Sequence, residues 1–225
     1  MRNITLTIIV LILLGCNDKA DQKTIDKFES ILGTDNSSAL TDLVMTFEND
    51  IRAKYETELL EDAYKLYLND VINRPEITSS EWLEQLHHRD SIFSSCQCDL
   101  FSEIWMKPDS IWIDNGWTNT AYYVIRADDF KYDTMISKST IHSRVDNIDS
   151  LISNKKKVPN FNPVGKYISA FDAIENTNKY TEWYVDTKNA AGLISPHITA
   201  NLMLKNKADY NDYLIKRIIV IETYY

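Results

Sequence analysis

Through most of this chain, hydrophobic residues recur at three- and four-residue steps, the period of an α-helix with one buried stripe. Leu40, Leu43, Val44, Phe47, Ile51 and Tyr55 form the first stripe. They predict a helix from about Ser38 to Tyr55, with Ser37 or Ser38 placed to cap it and Asp42 near its positive end. Leu60, Ala63, Tyr64, Tyr67, Leu68 and Val71 form the second stripe, and Arg74-Pro75 stops that helix. Thr78-Ser79-Ser80-Glu81 has the form of a capping box ahead of Trp82, Leu83 and Leu86. Further along, Ile141, Val145, Ile148 and Ile152 lead into Lys155-Lys156-Lys157, cations suited to a helix C-terminus. Asn162-Pro163 and Ser195-Pro196 each read as a cap followed by proline at the first helical position. The first precedes Tyr167, Ile168, Phe171 and Ile174, and the second precedes Ile198, Leu202 and Met203. Between them, Tyr180, Trp183, Tyr184 and Thr187 mark a helix that stops at Gly192. The final apolar run, Ile218 to Ile221, keeps helical spacing with Tyr210 and Leu214 and is assigned to a buried helix.

The middle of the chain departs from this period. Leu100, Phe101, Ile104 and Trp105 predict a short helix ending at Lys107-Pro108. Ile111-Trp112-Ile113 and Ala121-Tyr122-Tyr123-Val124-Ile125 flank Asp114-Asn115-Gly116, a hairpin signal. Tyr122 and Ile125 also fit a helix over 118–126, and a lone two-stranded hairpin is marginally stable, so the helix is preferred. The fold expected is mainly α, a compact multi-helix bundle, with the alternative of an α+β fold holding a small hairpin around 111–125. No repeat of fixed period is present.

The first residues follow another logic. Arg2 precedes an apolar run from Ile4 to Leu14, closed by Gly15 and Cys16. Basic start, apolar middle and small-residue site are the order of a secretory signal. As a helix the run reaches only roughly 16 Å, short of a hydrocarbon core about 30 Å thick. Leu13-Leu14-Gly15-Cys16 resembles the lipobox of bacterial lipoproteins. That resemblance implies cleavage before Cys16, acyl chains such as palmitate on the new N-terminus, and attachment to a membrane that two lipid signals suffice to make stable. The parse expected is a signal peptide at 1–15, a lipidated flexible tether at 16–36 and one helical domain at 37–225. The polar stretch after Cys16 supports the tether, although Phe28, Ile31 and Leu32 form an apolar island that could equally dock as a helical turn. In style the remainder is similar to the Asn- and Lys-rich helical lipoproteins of Bacteroidota envelopes. This implies an envelope location, with the outer membrane expected, while Asn17-Asp18 holds no cue choosing between the periplasmic and outer faces.

Charge narrows the partners. The formal net charge is −9, and it becomes −10 once residues 1–15, which hold Arg2 and no acid, are removed. Such a balance argues against nucleic acid and against electrostatic adsorption to anionic lipid. With Cys16 acylated, Cys96 and Cys98 are left, one residue apart. Three readings stay open for them: packed thiols, a strained bridge, or a metal site with His87-His88. The last has the wrong cysteine spacing for common zinc frameworks. Five isolated glycines supply neither a phosphate-cradling loop nor a Gly-x-Ser-x-Gly elbow. No cofactor or metal is implied, and no residue is assigned a catalytic role.

One constellation has ligand chemistry. Trp105, Trp112 and Trp117 are interleaved with Asp109, Asp114, Asn115 and Asn119, with Tyr122 and Tyr123 just beyond. Indole faces beside carboxylates and amides can stack on sugars or grip peptides, and they can equally plug a core. The function expected is therefore a membrane-anchored, non-catalytic module that binds an envelope protein, as an immunity-like or assembly partner. A surface glycan- or peptide-binding module built on Trp105, Trp112, Asp114, Asn115 and Trp117 is the first alternative. An envelope hydrolase whose residues converge only in three dimensions is the second.

Overall fold

The computed structural model describes residues 20–74, 98–125, 132–140, 147–157, 159–174 and 178–224. Among them are nine helices and two small antiparallel sheets, so the protein is mainly α with a minor β component. The hairpin alternative is the accurate description.

Helices α1 (Gln22–Leu32), α2 (Thr34–Tyr55) and α3 (Leu60–Asn73) open the body. α1 corrects the expected tether. Asp21 accepts the Thr24 N–H at 2.8 Å to cap it, and Phe28 and Leu32 are fully buried. The Phe28 ring meets Phe171 edge-on at a centroid distance of 4.9 Å. Apolar contact thus outweighs the polar composition of the segment, and residues 20–36 belong to the packed body rather than to a flexible tether. α2 and α3 bury the stripes their sequences predict, and Phe47 of α2 packs edge-on against Tyr64, Tyr67 and Tyr224.

The short α4 (Leu100–Ile104) hands over directly to strand β1 (Trp105–Met106), which pairs antiparallel with β5 (Asn160–Phe161). Strands β2 (Pro108–Asp114), β3 (Trp117–Ile125) and β4 (Tyr132–Thr140) form the larger sheet in the order β2-β3-β4. The preferred helix over 118–126 is therefore wrong. Asn115 and Gly116 both have positive φ, 50° and 79°, as a two-residue type I′ turn requires, and glycine is suited to the second of them. β4 removes the instability of a lone hairpin by giving β3 a second partner along its whole length. Nothing assigned β4 from the sequence, although Thr134 and Ile136 show the β-branched alternation of a strand.

α5 (Ile148–Lys156) packs beside β2, and Asn147 caps it. α6 (Lys166–Asp172) starts later than Asn162-Pro163 predicts. Asn162 instead donates to the Ser102 carbonyl at 2.8 Å and accepts the Val164 N–H at 3.2 Å, making a turn. The first amide of α6, from Lys166, is taken by Glu103 of α4 at 2.6 Å. α7 (Lys179–Ala191) has a capping box at Asn178 and Thr181, and α8 (Pro196–Lys205) begins at Ser195-Pro196 as read. α9 (Tyr213–Thr223) is the axis of the molecule: Leu214, Ile215 and every residue from Arg217 to Thr223 are buried. A helix enclosed on all sides is a core helix, which accounts for its unbroken apolar run.

Cys98 is disulfide-bonded. Cys96, His87-His88, the capping box at Thr78, Ile141 and Val145 lie outside the described residues. No helix among the described residues is long and apolar enough to cross a membrane.

Candidate functional site

Strand register sorts the aromatic segment onto two faces. Trp112 pairs with Asn119 and Asp114 with Trp117, while on the other side Ala121 pairs with Ile136 and Tyr123 with Thr134. Directly opposed residues share a face, and side chains alternate along a strand. Trp112, Asp114, Trp117, Asn119, Ala121, Tyr123 and Ile136 therefore stand together on one side. Thr118, Thr120, Tyr122 and Val124 occupy the opposite side and are buried. There Met106, Tyr122 and Val124 make a satellite core with Met135 and Val164.

The first face is open. Trp112 is 39% exposed, Trp117 45%, Tyr123 61% and Ile136 55%, whereas Asn119 and Ala121 between them are buried. Small residues form the floor and large apolar ones the walls. Trp112 and Trp117 are diagonal neighbours across the hairpin, a separation roughly 7–8 Å that long side chains bridge. Asp114 and Asn115 sit exposed at the turn beside them. The structure thus brings together four of the five residues singled out as a ligand surface and excludes the fifth. Trp105 is 1% exposed, because the chain turns inward from α4 into β1 and sets Trp105 opposite Phe161. Ile136 was missed, since the strand that carries it was not recognised.

A second polar assembly lies inside the protein, out of reach of a ligand. Lys188 of α7 and Glu222 of α9 form a fully buried ion pair at 2.8 Å. The Tyr184 hydroxyl donates to the same Glu222 Oε1 at 2.7 Å. The Lys188 ammonium also lies 4.6 Å from the centroid of the Phe161 ring and 5.1 Å from that of Trp105. Burial first, and then the Glu222 charge, push the Tyr184 hydroxyl well above the ordinary tyrosine range. Burial likewise raises Tyr167, partly countered by its hydrogen bond with Tyr184. Perturbed groups often mark catalysis. This cluster has the opposite character, because it is sealed from solvent and enclosed by aromatic rings, with Glu222 Oε1 shared by Lys188 and Tyr184 while Glu222 Oε2 is buried without a hydrogen-bond partner among the described residues.

Between α1 and the first turns of α2 runs a groove of about 490 Å³, with Asp26, Glu29 and the hydroxyls of Ser30, Ser38 and Thr41 among its lining groups. Behind it the buried Arg217 donates to Thr41 Oγ1 at 2.7 Å and stacks on the Tyr213 ring. Burial lowers the Arg217 pKa from the usual guanidinium value. Among the described residues, no three His, Cys, Asp or Glu side chains converge as metal ligands.

Fold and surface together define a mainly helical protein carrying a small antiparallel sheet with one open aromatic face. No protein-family model, curated protein or solved structure matches the chain.

Proposed function

We propose that this chain is a lipid-anchored protein of the bacterial cell envelope, held to the outer membrane through Cys16, and that it binds a protein partner through the open face of the β2-β3-β4 sheet. The observation that carries the binding reading is the co-location of Trp112, Trp117, Tyr123 and Ile136 on one exposed face while the reverse side of β3 is buried. Their fractional exposures correspond to an apolar patch on the order of 450 Å², taking side chains of about 200–250 Å² each. That is about half of what one partner contributes to a standard interface, near 800 Å². Aromatic anchors at the centre with Asp114, Thr134 and Lys138 around them match the anatomy of a protein-binding patch more closely than a sugar shelf, which has little use for Ile136. The anchoring reading is supported by the order Arg2, apolar run, Gly15, Cys16. The acidic balance of the chain favours a partner whose rim is basic.

A photo-crosslinking residue at position 136 of the anchored protein tests the binding reading. The expected result is one discrete protein adduct in native envelopes, lost in the Trp112→Ala/Trp117→Ala variant. Adducts that survive the double substitution would refute it. Retention on purified polysaccharide that depends on the two tryptophans would replace it with the glycan-binding alternative.

A further inference from the structure

The docking of α1 has a consequence for where the body stands relative to lipid, and we infer that the end of the fold bearing the N-termini of α1 and α9 faces the bilayer at close range. This inference rests on the lipid-anchor reading of Cys16. Only residues 17–19 separate Cys16 from Ala20, and four steps of chain span at most roughly 14 Å. A flexible 20-residue tether would have given a mean reach of about 25 Å and free rotation.

Ala20 is fastened rather than merely adjacent. Its N–H donates to Asp212 Oδ2 at 2.6 Å. The other oxygen of Asp212 accepts the N–H groups of Leu214 and Ile215 at 2.8 and 2.9 Å. One buried carboxylate therefore ties Ala20 to the start of the central helix. Asp21, next in the chain, caps α1, so two helix N-termini meet at the point nearest the anchor. Asp21 and Lys23 are exposed there, as is Asn211, which precedes Asp212. An acid and a base side by side make no cationic patch, so approach to the membrane is set by the acyl chains and the short connection rather than by attraction to anionic headgroups. The partner of this end of the molecule is the lipid surface itself, and its area is withdrawn from protein binding.

The test uses the full acylated chain in liposomes containing headgroup-labelled acceptor lipids, with a donor fluorophore on an unnatural amino acid at position 211. A second chain has a flexible Gly-Ser insertion of about 20 residues between Asp18 and Lys19. Mass spectrometry of Cys16 is read in parallel. With acyl mass on Cys16, energy transfer is expected to fall at least about twofold on insertion, since the mean reach grows by roughly 25 Å. Acyl mass together with weak transfer, or transfer unchanged by the insertion, overturns the close orientation and leaves the anchor intact. An unacylated Cys16 overturns both.

Discussion

Glu222→Gln removes the negative charge that faces Lys188 and leaves the rest of the cluster in place. Both side chains are at most 1% exposed and their charged atoms are 2.8 Å apart, so no water can take over from the lost carboxylate. At an effective dielectric of about 20 the pair attraction at this distance is roughly 6 kcal/mol before desolvation. Breaking one side of a buried pair costs about 3–5 kcal/mol in practice. The Phe161 and Trp105 rings beside Lys188 Nζ retain up to about 2 kcal/mol of cation–π attraction in a desolvated site, which places the expected loss near the lower end, about 3 kcal/mol. For a domain of this size that is a drop in the urea midpoint of roughly 1–1.5 M, or about 6–12 °C in melting temperature. The double variant Lys188→Met/Glu222→Gln removes both charges while the Gln carbonyl still accepts from Tyr184. It is expected to recover at least about 2 kcal/mol relative to Glu222→Gln, since a buried pair replaced whole by neutral groups is close to neutral in energy. Urea unfolding of the parent, the Glu222→Gln and Lys188→Met single variants and the double variant, followed by circular dichroism with the Cys98 bridge kept oxidised, gives the cycle. A Glu222→Gln midpoint within experimental error of the parent, or a double variant less stable than Glu222→Gln alone, would refute the assignment of this pair as a structural tie between α7 and α9.

Gly165→Ala would place a Cβ 2.2 Å from the Glu103 carbonyl oxygen and 2.8 Å from the Asn162 amide; it is expected to cost about 2–3 kcal/mol by overpacking where α4 meets α6, and an unchanged melting temperature would contradict that close approach. Asp212→Ala loses the cap of α9 and the bond to Ala20 together, with an expected cost of about 1–2 kcal/mol and faster amide exchange at residues 20–25. Asp212→Asn keeps one carbonyl acceptor for the cap of α9 and should lose less; an Asp212→Asn variant as stable as the parent would show that the Ala20 bond adds nothing. Tyr167 and Tyr184 have folded pKa values raised above the unfolded value of about 10, and burial and neighbouring phenol and carboxylate groups push Tyr210 up to about 12. The neutral phenols are therefore favoured in the folded state, and their contribution is complete below pH about 10 and lost above it, by roughly 1.4 kcal/mol per pH unit for each buried hydroxyl. Urea midpoints that stay level between about pH 10 and 11.5 would rule this out.

The stripes of α2, α3, α7, α8 and α9 were legible because a helix satisfies its hydrogen bonds within four residues and its buried face repeats every three or four, so both properties are written locally. The Asn115-Gly116 turn was legible for the same reason, as two adjacent residues supply the positive φ angles it needs. The Leu13-Leu14-Gly15-Cys16 pattern is also local, and the proposed lipid anchor rests on it. Residues 117–125 could not be resolved this way. A strand is completed by partners elsewhere in the chain, and β3 became secure only when β4 paired along it, which neither segment announces alone. Polar composition gave the wrong weight to residues 22–32 because two buried side chains, Phe28 and Leu32, with Ile31 packed beside the core, decide the docking of the helix. Trp105, Trp112 and Trp117 are chemically identical in the sequence. Which one enters the core and which two stay open follows from strand parity and from the turn out of α4, both properties of the assembled chain. Tyr184 and Glu222, 38 positions apart, show the same limit for the buried cluster. The sequence alone determined the helical period and the candidate anchor, and it offered the Asn115-Gly116 hairpin turn only as an alternative. The tertiary structure decided which surfaces are left for partners, because burial is a relation between distant residues and not a property of any one of them.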